Sequence, residues 1–141
     1  MTPTNVPTVT PCLSYRDAPA AIEWLCRAFG FEKHLVVPGE NGTIVHAQLV
    51  FGHGMIMLGS ARDDDPERAW QKTPAKLGGS SVSICVLVAD ADAHHARAVA
   101  AGAQIIDPLT DKEYGGRGYG CRDLEGNLWF FGTYDPWAAT P

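Results

Sequence analysis

Residues 12–20 read CLSYRDAPA and residues 85–93 read CVLVADADA, and Cys, Asp and two Ala occupy matching places in both. The offset is 73 (85 − 12). It recurs downstream, pairing Gly59 with Gly132 and the turn at His53-Gly54 with that at Gly126-Asn127. Self-similarity at a fixed offset marks a duplicated supersecondary unit. Identity between the halves is otherwise sparse, so the order of elements has to carry the argument.

In the first half, residues 8–15 alternate: Val9, Pro11, Leu13 and Tyr15 fall on one side, Thr8, Thr10, Cys12 and Ser14 on the other, as in a half-buried strand. Asp17 then caps a helix with Pro19 in its first turn, and Ile22, Trp24, Leu25, Ala28 and Phe29 make an apolar face that stops at Gly30. Strand-like runs follow at 31–37, 43–51 and 55–59, separated by turns at 39–42 and 52–54. The second half repeats this order. Val82, Ile84, Val86 and Val88 alternate with Ser83, Cys85 and Leu87, a helix spans 90–101, and strands are expected at 103–107, 116–122 and 127–134. Each half is thus β-α-β-β-β, and the fold class is α+β. We read residues 1–141 as one domain, with module one at 8–60, a connector at 61–79 and module two at 80–135. The connector carries Pro66, Pro74 and Gly78-Gly79, with one helical turn expected near 67–72.

Composition agrees with one globular domain: 141 residues, 45% hydrophobic. The net charge of -5 comes without a basic cluster, which argues against nucleic acid as a partner. No run approaches the roughly 18 to 20 apolar residues of a membrane span, and the start lacks a secretory pattern, so a cytoplasmic protein with no membrane partner is expected. The four cysteines show no C-x-x-C spacing and are expected as free thiols. Asp63, Asp64 and Asp65 read as a solvated run without function.

Several segments together carry a family likeness: SYRDAPAAIEWLCRAFGFE at 14–32, IVHAQLVFG at 44–52 with MIMLGS after it, and YGGRGYGCRDLEGNLWFFGTYDP at 114–136. The chain resembles the glyoxalase/bleomycin-resistance branch of the vicinal oxygen chelate superfamily over nearly all of residues 8–135. The resemblance implies eight strands arranged as two half-barrels around a cleft, helices on the convex side, and a homodimer. It does not imply one activity, because the fold hosts isomerases, lyases, oxygenases, thiol transferases and drug-sequestering proteins.

Enzymes of that superfamily hold a divalent metal with four ligands, one from the first and one from the fourth strand of each module. Carried over by motif position, those places fall on Thr10, Met57, Ser83 and Phe130, none a His or carboxylate. No metal and no cofactor are therefore expected. Period two then places Thr10, Cys12, Ser14, Ile44, His46, Gln48, Met55, Met57, Ser81, Ser83, Cys85, Arg117, Tyr119, Cys121, Leu128 and Phe130 on the cleft face. From these we take Cys12, His46, Gln48, Met57, Ser83, Arg117, Tyr119 and Phe130 as candidate ligand-binding residues, and none as catalytic.

His46 pairs with Tyr119 at the 73-residue offset and reads first as a pocket-wall histidine, then as a ligand contact, and last as an acid/base group. Arg117 reads equally as an anchor for a carboxylate or phosphate and as an exposed edge residue. His34, His53, His94 and His95 read as surface residues, and Trp70 and Trp137, in connector and tail, as groups that could close over the cleft or a dimer partner. The expected function is metal-independent binding of a small, planar or partly apolar metabolite or antibiotic by a homodimer. The alternative is a lyase, isomerase or dioxygenase of the same fold.

Overall fold

Each half folds its strands into a separate four-stranded sheet. The computed structural model describes residues 6–138. Module one contains β1 (Cys12–Tyr15), α1 (Ala18–Phe29), β2 (Glu32–Pro38), β3 (Ile44–Phe51) and β4 (Gly54–Ser60). After a short helix, α2 (Pro74–Leu77), module two follows with β5 (Ser83–Leu87), α3 (Ala91–Ala100), β6 (Gln104–Asp111), β7 (Arg117–Arg122) and β8 (Leu128–Gly132). The sheet orders are β1-β4-β3-β2 and β5-β8-β7-β6, with β1/β4 and β5/β8 parallel and the remaining pairs antiparallel. The duplicated β-α-β-β-β order and the α+β class stand as read from the sequence.

Local chemistry sets the element ends. The Asp17 carboxylate accepts from the Ala20 N–H at 3.1 Å, and Asp90 does the same for Ala93 at 3.0 Å, so the Asp shared by both repeats caps both helices. Gly30 ends α1 in the left-handed conformation. The connector's helical turn lies at Pro74–Leu77 rather than near 67–72, because Thr73 caps it and Pro74 takes its first position. β6 runs beyond the expected 103–107 despite Pro108, which an edge strand tolerates.

The helix-facing sides of both sheets share one core. α1 buries Ile22, Trp24, Leu25, Ala28 and Phe29, and the Phe29 ring lies 5.2 Å from Trp129 and 4.6 Å from Phe131 of the other module's sheet. Phe31 also meets Trp129, at 5.7 Å. The two helices thus lie between the sheets, and the two open faces point away from each other. The sequence leaves open whether the two modules close a cleft within one chain or between two; here Thr10 and Met57 belong to one open face and Ser83 and Phe130 to the other, so the four do not meet within one chain.

Polar contacts fasten α1 to module two at both ends. The Glu125 carboxylate accepts from the Arg16 and Asp17 N–H groups at 2.6 and 2.9 Å. At the other end the Arg97 guanidinium donates to the Arg27 and Cys26 carbonyls at 2.8 and 3.0 Å. An anion at the N-terminus and a cation at the C-terminus both complement the helix dipole. In return, the Trp24 indole donates to the Ala101 carbonyl beyond α3 at 2.7 Å. Beneath Glu125, buried Asp123 accepts from the Tyr15 hydroxyl (2.7 Å), the Trp129 indole (3.0 Å) and the Glu125 and Asn127 N–H groups. The R-D-x-E-G-N-x-W segment is therefore a latch between modules.

His94 belongs to the same junction and is not a surface residue. Its Nε2–H donates to the Phe29 carbonyl at 2.8 Å, and its Nδ1 accepts from the Tyr119 hydroxyl at 2.6 Å, which fixes the neutral tautomer. Burial holds its pKa below the ordinary 6.5.

Two outcomes follow. Asp123→Ala leaves four donors without an acceptor and should destabilise the chain by about 2–4 kcal/mol in urea denaturation, while Leu124→Ala, exposed next to it, changes little. His94 binds a proton less tightly folded than unfolded, so its contribution is complete above about pH 6.5 and is lost as pH falls from there through the lower folded value. A pH series of melting temperatures should show that acid-side loss, and His94→Gln should flatten it.

Candidate functional site

Strand register assembles the open faces row by row. In module one, Cys12 of β1 pairs with Met57 of β4, which pairs with Gln48 of β3. The Gln48 amide donates to His46 Nε2 at 3.0 Å, so a thiol, a thioether, an amide and an imidazole share this face. In module two, Cys85 of β5 pairs with Phe130 of β8, and Phe130 with Gly120 of β7. Cys12 and Cys85 are exposed, as is Ser83, while Met57, Gln48, His46 and Phe130 are half-buried.

The offset of 73 holds for Cys12/Cys85 and Met57/Phe130 but drops to 72 for Gln48/Gly120, because one extra residue separates β7 from β8. A strand shifted by one residue presents its other face. Tyr119 and Cys121 therefore point into the shared core rather than the cleft, and Tyr119 does not face His46. Burial pushes the Cys121 thiol up to about 12, which makes it a packing residue rather than a reactive one. Arg117 turns toward α3, where its guanidinium pairs with Asp92 at 3.1 Å and with Asp111 at 3.3 Å. Ile44 also joins the core, because an irregularity in the β2/β3 pairing at Val37/Pro38 breaks the alternation of β3. Six of the eight candidate residues thus remain on open faces: Cys12, His46, Gln48 and Met57 on one, Ser83 and Phe130 on the other.

Module two's open face carries a hollow of about 400 Å³ lined by Cys85, Leu87, Phe130, Tyr114, Tyr134 and Trp137, with Lys112 at its side. Lys112, Tyr114 and Tyr134 are absent from the sequence-derived set. They lie on the 112–116 turn and the segment after β8, where no period marks a face. Trp137 is 95% exposed beside this hollow, and Trp70, 76% exposed, flanks the open face of module one next to Val45 and Gly59. A larger depression of about 860 Å³ lies elsewhere, among Arg16, Thr43, Asp63, Asp64 and Lys76, where Lys76 approaches Asp64 at 4.0 Å. Its lining joins the charged 61–65 loop and Lys76 to the strand residues Ile44, Val45 and Ser60.

The donor chemistry at Thr10, Met57, Ser83 and Phe130 does not suit a divalent metal. Phe130 carries no donor, and its ring lies so close over Gly120 that a Cβ there would come within 2.5 Å of it. Among the described residues no three His, Cys, Asp or Glu side chains are grouped so that they could hold a metal ion. No described helix is long and apolar enough to cross a membrane.

Against known families, residues 8–131 match the model described as the Glyoxalase/Bleomycin resistance protein/Dioxygenase superfamily. The chain belongs to this superfamily. An uncharacterised protein of Mycobacterium bovis is 36% identical over 128 residues, covering 89% of this chain and 82% of its own. Among solved structures, TioX from Micromonospora sp. ML1 is 38% identical, covers 88% of this chain and 97% of its own, and superposes with a TM-score of 0.66. The fosfomycin resistance protein FosX from Mesorhizobium loti, 13% identical with coverages of 93% and 94% and a TM-score of 0.66, shares the fold.

For this superfamily member, Tyr119→Phe should cost about 1–3 kcal/mol of stability, because it leaves the His94 Nδ1 unpaired at the junction. Denaturant unfolding measures that loss.

Proposed function

We propose that this protein is a metal-independent small-molecule binder that sequesters a metabolite or antibiotic and works as a homodimer. The observation that carries this reading is the aromatic hollow beside Phe130, at a position where the superfamily's enzymes place a metal ligand. Such a lining favours a flat or partly apolar guest through stacking and apolar burial. The row Cys12, Met57, Gln48 with His46 supplies a polar counterpart.

Because the open faces of one chain diverge, the polar row and the aromatic hollow enclose one ligand only when module one of one copy covers module two of another. Apolar side chains left in water support that pairing. Val9 is 82% exposed and Val82 67%, and they are repeat equivalents (82 − 9 = 73) beside the edge strands β1 and β5. Two copies related by a twofold axis cover both and create two equal sites.

Thermal-shift titration with planar natural products tests the binding. A ligand at about one hundred times its Kd should add about 2.7 kcal/mol of stability, unchanged by EDTA. Turnover of a substrate that needs added metal, with no ligand found across a broad library, would overturn it. Sedimentation should give twice the chain mass, and Val82→Asp should shift it toward the monomer.

A further inference from the structure

The hollow of module two has a floor of bare backbone. Gly118 and Gly132 pair in register across β7 and β8, and both line it. Two strands without side chains at this level form a flat surface, with the Phe130 ring beside it. The opposite wall is Tyr134, in edge-to-face contact with Tyr114 at 5.1 Å. This wall is fixed by the 112–116 turn, in which the Lys112 N–H donates to the Gly116 carbonyl at 2.8 Å. The turn presses so closely on the segment after β8 that a Cβ at Gly116 would lie 2.6 Å from the Tyr134 backbone nitrogen. Trp137 stands outside, its chain bent by a 2.9 Å bond from its N–H to the Asp135 carboxylate.

Charged groups break the apolar lining at Lys112, Arg117 and Asp135, and the Asp135 carboxylate already accepts from the Trp137 N–H. The Lys112 side chain is only 15% exposed, and its ammonium sits 2.8 Å from Asp107 Oδ2. Asp107 pairs in register with Gly120, which places this ion pair on the open face. Arg117, the other cation of the lining, is already held by Asp92 and Asp111. An ammonium has three N–H donors, and Asp107 is the acceptor that Lys112 has among the described residues. The pair as a whole is neutral, so it favours a neutral oxygen acceptor over a full negative charge.

We propose that the hollow takes a flat, uncharged aromatic molecule with a carbonyl oxygen at its edge. The ring lies on the Gly118/Gly132 floor beside Phe130, and the oxygen accepts from Lys112 Nζ. Lys112 is then the residue that sets ligand specificity, and Phe130 and Trp137 supply stacking area. This deepens the binding reading above and rests on it.

The test compares two tricyclic probes that differ in one oxygen, 9-fluorenone and fluorene, titrated into the full chain and followed by tryptophan emission. The ketone should bind about tenfold tighter, the size expected for a hydrogen bond to a charged group. Lys112→Met should erase that preference, Lys112→Arg should retain it, and Phe130→Leu should weaken both probes together. Equal affinities in the natural chain, or a Lys112→Met variant that keeps the preference, would overturn the role of Lys112 and leave small-molecule binding intact. If neither tricycle binds while non-aromatic library members raise the melting temperature, the ligand class falls alone. If no compound of either kind binds, both readings fall.

Discussion

Which faces of this protein stay open, and with them the proposed binding site, depends on how helix α1 is held. Its N-terminal amides meet the Glu125 carboxylate and its C-terminal carbonyls meet the Arg97 guanidinium, so module two grips both ends of a helix that belongs to module one. Each contact falls on backbone groups at or just outside a helix end, and each carries the charge that the helix dipole favours there. With Trp24, His94 and Asp123 adding cross-module bonds, the helix side of each sheet is committed to the interior. The opposite faces are what remains for function.

That commitment explains features that would otherwise look like site chemistry. The acidic and aromatic residues of the R-D-x-E-G-N-x-W segment invite a catalytic reading, yet Asp123 and Glu125 spend their oxygens on Tyr15, Trp129 and the start of α1. Tyr119 and His94 form a bonded pair in the same junction. The open faces hold softer groups: Met57, Gln48 and His46 on one side, Phe130, Tyr134 and Trp137 on the other.

Much of the architecture was legible in the sequence because it rests on short-range rules. The Asp that caps each helix, the glycine that ends α1 and the alternation of β4, β5 and β8 all act within a few residues. The offset of 73 then extended module one to module two. It misled in β7, where one inserted residue before β8 turned Tyr119, Cys121 and Arg117 to the helix side, since period two carries no tolerance for a single-residue shift. The hollow's walls were illegible for a different reason. Lys112, Tyr114 and Tyr134 lie in a turn and after the last strand, and only tertiary packing, such as Gly116 against Tyr134, brings them together. His94 was misread because helix position alone does not reveal that a second helix end lies over it.

The cysteines offer the most direct check on the divergent open faces and their proposed completion by a second copy. Cys12 and Cys85 are exposed on opposite faces, whereas Cys121 is buried and burial raises the Cys26 pKa. A short bis-maleimide added to the native protein, followed by peptide mass spectrometry, reads which thiols lie within its span. The account predicts a Cys12–Cys85 link that joins two chains and migrates at twice the chain mass. The same link closed within a single chain of monomer mass would contradict it.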